Sequence, residues 1–309
     1  MWKYVLKRIG VLIPMILVVS FIVYVVMDLA PGDPIYTMYP EASEAEREMM
    51  REELGYNDPV VVRYVRYMAD VLHGDLGTSL YSSMNVWDEF MARLPYTIVL
   101  ACSAMILTLI IAIPMGIWAA TNHNSWLDTG ASVFSIVGQS VPNFWLGLLL
   151  VLLFAVKLGW LPSTGAEDGI KSLVLPTVTL ALQNMALVMR TTRSSMLDCI
   201  RADYLRTAKA KGVSQRKLIW HHALRNALIP IVTIAGSQFS ILIAGAAVVE
   251  SVFAWPGIGQ LIVQSIRTND YTMTTGGILL TTVLTSAILL MVDVSYALVD
   301  PRIKAKYTK

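Results

Sequence analysis

Residues 96–127 read YTIVLACSAMILTLIIAIPMGIWAATNHNSWL, a stretch without one Asp, Glu, Lys or Arg. A helix needs roughly 20 consecutive apolar residues to cross the hydrocarbon core of a bilayer. Five more charge-free runs repeat the pattern, at 9–27, 129–156, 172–189, 226–249 and 271–292. Buried core helices of a soluble protein would explain one such run, but not six within 309 residues. Composition agrees: hydrophobic residues make up 55% of the chain and charged residues 15%, against about 25% in a soluble chain, and the mean hydropathy is +0.58. The expected fold class is therefore an all-α membrane protein with six transmembrane helices.

The first run follows Lys3, Lys7 and Arg8, as the h-region of a signal peptide would. It is too long for that, and Asp28-Leu29-Ala30-Pro31-Gly32 supplies no small-x-small cleavage site. It is read as an uncleaved first span. With the N-terminus inside, the inner segments hold 16 of the 24 Lys and Arg residues, nine of them between Arg190 and Arg225. The positive-inside rule favours that orientation, so both termini are expected in the cytoplasm, with the chain crossing the cell membrane several times. The net charge of +2 hides two opposite faces and gives no nucleic-acid signal.

Three regions follow: 1–29, the N-terminal segment and first span; 30–95, an extracytoplasmic loop; and 96–309, a five-span core with an inner loop at 190–225. A loop as long as 30–95 carries structure of its own. Ser43-Glu44-Ala45-Glu46 has capping-box form, good helix formers run from Ala45 to Leu54, and Gly55 is placed to stop that helix. Residues 60–72 show helical spacing, so a small helical cap is expected on the outer face. In the inner loop, a first helical piece is expected to continue the fourth span to about Lys211 and end at Gly212. Ser214 would cap a second piece leading into the fifth span.

On the first piece Tyr204, Ala208 and Lys211 fall at i, i+4 and i+7, with Leu205 and Ala208 on one side, flanked by Arg201, Arg206 and Lys209. Such a surface suits insertion into a cleft of another protein. The competing reading is a basic helix lying on anionic headgroups, for which alanines bury little area. Pro14, Pro114, Pro142, Pro176 and Pro230 mark kinks or breaks within the spans.

What is missing narrows function further. No ionisable residue lies near the middle of a span, as coupled carriers and pumps usually require; Asp293 is read as a boundary residue. The chain has no phosphate loop, no Gly-x-Ser-x-Gly and no His-Glu-x-x-His, so no catalytic residues and no ATP site of that kind are assigned. Cys102 and Cys199 are read as free thiols. His221 and His222 are adjacent and point about 100° apart on a helix, so no metal site is assigned.

A set of local motifs runs nearly end to end. It comprises Ala30-Pro31-Gly32-Asp33-Pro34, Leu54-Gly55 with Asp58-Pro59, Gly74-Asp75-Leu76-Gly77-Thr78-Ser79, Ser140-Val141-Pro142-Asn143-Phe144 and Leu175-Pro176. It continues with Asp203-Tyr204-Leu205-Arg206-Thr207-Ala208-Lys209-Ala210-Lys211-Gly212, His222-Ala223-Leu224-Arg225-Asn226-Ala227, Glu250-Ser251-Val252-Phe253, Trp255-Pro256-Gly257-Ile258-Gly259 and Asp300-Pro301-Arg302. In these residues the chain resembles the inner-membrane permease subunits of peptide-type ABC importers, the dipeptide/oligopeptide/nickel group. The wider class carries Glu-Ala-Ala-x-x-x-Gly and then Ile-x-Leu-Pro. Here those positions are Arg206-Thr207-Ala208 with Gly212 kept, and His222-Ala223-Leu224-Arg225, as in the peptide-type branch.

The resemblance implies a type I importer permease fold that forms half of a translocation pathway. The partners it implies are a second homologous permease subunit, two ATPase subunits, an extracytoplasmic substrate-binding protein docking near the outer loop, and membrane lipid. It implies no nucleic acid partner. No cofactor is expected in this chain; ATP and Mg would be bound by the ATPases. Arg201 and Asp203 to Gly212 (Tyr204, Leu205, Arg206, Thr207, Ala208, Lys209, Ala210 and Lys211 between them) become the ATPase-coupling segment. Gln139, Ser140, Asn143, Gln183, Asn184, Ser237 and Gln238 become the candidate pathway lining, although for each taken singly interhelical hydrogen bonding is the more ordinary role. Peptides are the default cargo, with nickel chelates, glutathione and oligosaccharides as alternatives. A self-sufficient channel or carrier is the reading from another class.

Overall fold

The computed structural model describes residues 2–30, 34–53 and 55–299; the centre of the Ala30–Pro34 motif, Leu54, and Asp300-Pro301-Arg302 with the last lysines lie outside them. A long helix α1 (Trp2–Leu29) is followed by three short ones, α2 (Pro34–Met38), α3 (Glu44–Glu53) and α4 (Val60–Leu72). The core then runs through α5 (Val86–Thr121), α6 (Trp126–Ser140), α7 (Asn143–Leu150) with a π-helical continuation (Val151–Lys157), and α8 (Ile170–Arg201). After α9 (Asp203–Ala210) and α10 (Gln215–Lys217), a π-helical turn (Leu218–Ala223) leads into α11 (Leu224–Gly245). The chain closes with α12 (Ala247–Val252), α13 (Ile258–Arg267) and α14 (Tyr271–Val299).

Each of the six charge-free runs falls on one crossing. Five helices are long and apolar enough to span, and α6 with α7 makes a sixth crossing bent by 100°. The bend has a local cause. Pro142 has no N–H and disfavours the helical region for the residue before it, and Val141 sits at φ −83°, ψ 122°. Pro14, Pro114, Pro176 and Pro230 stay inside continuous helices, so only one of the five span prolines breaks its helix. Helix α5 begins ten residues before its charge-free run. At 36 residues it is about 54 Å long, more than the ~30 Å hydrocarbon core, and its charged first turns, with Asp88, Glu89 and Arg93, stand clear of that core.

Helix α8 is the centre of the bundle, packed chiefly on α5 and then on α11 and α6. Small residues allow the closest approach. Buried Ala101, Ala104, Ala112 and Gly116 lie along α5, and a Cβ on Gly116 would stand 2.6 Å from the Thr192 Cβ and 2.8 Å from the Met189 carbonyl oxygen. Van der Waals contact between small residues is what holds helices together where lipid competes for apolar surface.

Helix α1 lies at the periphery beside α14. Arg8 pairs with Asp293 at 3.1 Å at one end of the two helices, which gives the boundary residue Asp293 a partner. At the other end Arg63 of α4 pairs with Asp28 at 2.6 Å, and the Tyr64 and Ser20 hydroxyls lie 2.7 Å apart. The start of α1 and the end of α14 therefore share one face, and α4 stands on the opposite one, here called the cap face.

The expected capping box is present: Glu46 accepts from the Ser43 N–H (2.7 Å) and hydroxyl (2.7 Å), and the Glu46 N–H donates weakly to the Ser43 hydroxyl (3.4 Å). Gly55 has the left-handed φ of +70° that a helix stop requires. The Ser43 hydrogen bonds hold the Glu46 carboxyl below its ordinary pKa. A carboxyl depressed on folding stabilises the structure above its unfolded value, and loses that contribution as pH falls through the folded one. Helix α3 is thus expected to fray from its first turn below about pH 4, earlier in Ser43→Ala than in the unaltered chain. Amide exchange at residues 44–47 measures it; protection that ignores both pH and the substitution would refute it.

Candidate functional site

On the face opposite the cap, α8 does not continue to Lys211 as expected. It ends at Arg201, Ala202 takes an extended conformation (ψ 145°), and Asp203–Ala210 forms a separate short helix. The break lets α9 fold back so that Leu205 is buried at 6% exposure and Ala208 and Val213 pack on the main core. The Tyr204 hydroxyl hydrogen-bonds toward Asn226 and Cys199, tying α9 to α11 and α8, and burial pushes that phenol above its ordinary value. The side expected to enter a partner's cleft, Leu205 with Ala208, is therefore turned onto this chain's own core. Asp203, Arg206, Thr207, Lys209, Ala210, Lys211 and part of Tyr204 face outward. What α9 offers to a partner is a polar, mostly basic surface on a helix fixed from beneath.

Gly212 ends the segment at φ +81°, with its N–H bonded to the Lys209 carbonyl at 3.0 Å and the Val213 N–H to the Ala208 carbonyl. This is the left-handed helix stop that glycine favours. Ser214 precedes α10 without a side-chain capping bond.

The broken crossing gathers four of the seven candidate pathway residues. The Asn143 carboxamide donates to Gln183 Oε1 at 2.9 Å, joining the start of α7 to α8. The other Asn143 atom, Oδ1, is buried with no hydrogen-bond partner among the described residues. Gln139 and Ser140 end α6 at the same break, where Ser140 bonds back to the Ile136 carbonyl. The first N–H groups of α7 are uncapped by any side chain. Unwound backbone at membrane depth is tolerated where it is buried in protein or lines a cavity. Asn184 belongs elsewhere: it is 8% exposed and bonded to the Leu180 carbonyl, a packing role. Among the described residues no hydrogen bond joins Ser237 or Gln238 on α11 to the break; Ser237 bonds to its own helix at Ile234.

Two buried carboxyl groups, Asp128 and Glu250, join distant elements here, a role that the sequence reading gave to neither. Asp128, 4% exposed, forks against the Arg193 guanidinium, whose Nη2 lies 2.8 Å from Oδ2. It also accepts from the Asn124 N–H (3.0 Å) and meets His123 Nδ1 at 2.9 Å. The cluster pins the α5–α6 turn to α8 on the α9 side. Glu250, fully buried, accepts from the Thr97 hydroxyl at 2.6 Å and from the Gln260 N–H at 3.0 Å, while the Ile258 N–H donates to Thr97 at 2.9 Å. One carboxylate and one hydroxyl thereby satisfy the first turn of α13, where unpaired N–H groups favour negative charge. Gly257 has to be glycine here, because a Cβ would fall 2.1 Å from Glu250 Oε1. The available signal was position: Asp128 is the single charge separating the runs 96–127 and 129–156, and Glu250 is the charge that ends the run 226–249.

Residues 112–305 match the family described as binding-protein-dependent transport system inner membrane component, and residues 1–101 match its N-terminal companion. The oligopeptide transport system permease protein AppB of Bacillus subtilis (strain 168) is 40% identical, over 98% of this chain and 100% of its own. The glutathione transport system permease protein GsiC of Salmonella paratyphi A is 41% identical, over 99% and 100%. Among solved structures, the inward-facing MetNI methionine ABC transporter superposes with a TM-score of 0.59 at 18% identity, covering 68% of this chain and 96% of that one. An amino acid ABC transporter gives 0.53 at 17% identity, covering 68% and 93%. At those identities the structural likeness speaks for the fold alone.

Proposed function

The chain belongs to the binding-protein-dependent transport system inner membrane component family, and from that premise we propose that it is one half of the translocation pathway of an ATP-driven importer of peptides. The observation that carries the coupling role is α9. Its apolar residues are spent on anchoring, its polar and basic side faces outward, and it hangs from α8 through the single extended residue Ala202. A motor that grips α9 would move α8, the helix on which α5, α6 and α11 all pack.

In this reading the α9 face is cytoplasmic, in keeping with its lysines and arginines, and the cap faces outward. ATP and Mg would be handled by two ATPase subunits, a second homologous permease would complete the pathway, and a substrate-binding protein would deliver cargo at the cap. ATP binding biases a two-state interface, and the spans alternate their access as rigid bodies. Asn143, Gln183, Ser140 and Gln139 would present polar groups to the cargo at the broken crossing. The family's role is non-catalytic, so no reaction step is assigned to this chain. Glutathione is a second cargo to consider, because a relative over the full length is named for it.

Affinity-tagged chain taken gently from membranes is expected to co-purify two ATPases and a second permease, and the reconstituted complex to import short peptides only with ATP and the binding protein. A lone chain or homo-oligomer that moves solute without ATP would favour a channel or carrier instead.

A further inference from the structure

On the cap face, beyond the residues assigned above, α5 and α13 enclose a pocket of about 290 Å³ together with the 79–82 turn and the start of α14. Its floor is apolar, from Leu261 and Met273, and its walls carry Glu89, Arg93, Gln260 and Gln264. We propose that this pocket receives a short peptide with free ends, pairing the ammonium with Glu89, the carboxylate with Arg93, and the peptide groups with Gln260 and Gln264. The inference rests on the peptide reading above and gives that cargo a named contact site.

The charges are available for a ligand. Glu89 and Arg93 stand four residues apart on one helix face, where opposite charges normally pair, yet among the described residues neither has an ion-pair partner. Glu89 accepts one hydrogen bond through Oε2, from the Ser82 hydroxyl at 2.8 Å. Arg93 is half-buried and has no hydrogen-bonding partner among the described residues. A half-buried guanidinium without an acceptor is costly to keep unless something else completes it. The Gln260 and Gln264 side chains are also unbonded to protein among the described residues. A carboxamide offers both donors and an acceptor, which is the complement of a peptide unit.

The frame around these groups is rigid. Asp270, 2% exposed, accepts from the Ser79 hydroxyl and from the Met273 N–H at 3.0 Å, clamping the 79–82 turn to α14. Its oxygens are engaged there by neutral donors, whereas Glu89 keeps Oε1 and Arg93 its whole guanidinium without a protein partner among the described residues. Leu261 and Ser265 are buried at 7% and 4%, so the α13 wall is fixed from behind, and a preformed wall lowers the cost of binding. The volume is at the small end of ligand pockets, about 300–1,000 Å³. That suits a few residues with both ends free. A loop of the binding protein has no free ends and would leave one or both charges unanswered.

The test uses the full chain purified with its permease and ATPase partners, and the probes trialanine, N-acetyl-trialanine and trialanine amide. Arg93→Gln is expected to weaken trialanine binding about tenfold, the effect of losing one charged contact, and to leave binding of the amide unchanged. Glu89→Gln should do the same for trialanine while leaving the acetylated peptide unchanged. Equal losses for all three probes, or none, overturn the assignment. Docking of the empty binding protein is measured on the same variants, and a loss there assigns the pocket to that protein and overturns it too. ATP-driven import of trialanine by the unaltered transporter is scored separately: if it fails, the peptide reading itself falls, whereas normal import with unaltered probe binding removes only this site.

Discussion

Asp128→Ala is expected to lower the stability of the bundle by about 3 kcal/mol, the low end of what breaking a buried ion pair costs. The low end applies because the Arg193 side chain keeps 26% of its surface exposed and can partly rehydrate once its carboxylate partner is gone. Two further losses point the same way. The Asn124 N–H loses its acceptor and His123 loses its neighbour, so the α5–α6 turn is released as well. Asp128→Asn keeps an oxygen for one of these donors and should cost less. Asp128→Leu combined with Arg193→Met should recover much of the loss, because well-packed apolar pairs often match buried ionic ones. Unfolding in mixed detergent micelles measures all four proteins. An Asp128→Ala chain as stable as the original, or a double variant less stable than Asp128→Ala, would show that the pair does not hold α6 to α8.

The same pair shows where sequence reading stops. The six charge-free runs were legible because the bilayer imposes length and composition on each crossing separately, and every run became a crossing. The capping box and the Gly55 and Gly212 stops were legible for a similar reason: all their atoms lie within a few residues of one another. Asp128 with Arg193 and Glu250 with Thr97 are separated by 65 and 153 positions, and nothing local in the sequence ties one member to the other. The face of α9 was misread by the same limit. Spacing put Leu205 and Ala208 on one side correctly, but whether that side meets a partner or the chain's own core depends on Ala202 leaving the helical region. That turn accompanies the burial of Leu205 in the core, to which distant helices contribute. Pro142 and Pro176 look alike in the sequence; only the first breaks its helix, while Pro176 is carried inside α8, buried in the packed centre.

Gly212→Leu is expected to cut ATP-driven uptake to roughly a tenth while leaving membrane insertion intact. The cause is backbone strain rather than collision. No atom of the described residues stands within 4 Å of the position a Cβ would take, but the residue holds φ at +81°, and an L-residue in the left-handed region costs about 1–2 kcal/mol. Relief of that strain would unwind the end of α9, tilting Arg206, Lys209 and Lys211 away from the surface they present together. A shift of 1.4 kcal/mol is a tenfold change in the population of the docking geometry. This account separates backbone from surface: Gly212→Asn, which tolerates the left-handed region far better, should retain most uptake, although its side chain also adds bulk. Gly212→Val, branched at Cβ, should be at least as damaging as leucine. Uptake and ATPase co-purification are measured together across the series. Normal uptake by the leucine variant would mean that α9 is not where the ATPase grips. Equal loss with asparagine and leucine would place the sensitivity in side-chain bulk at the docking surface and leave the helix stop without a role in coupling.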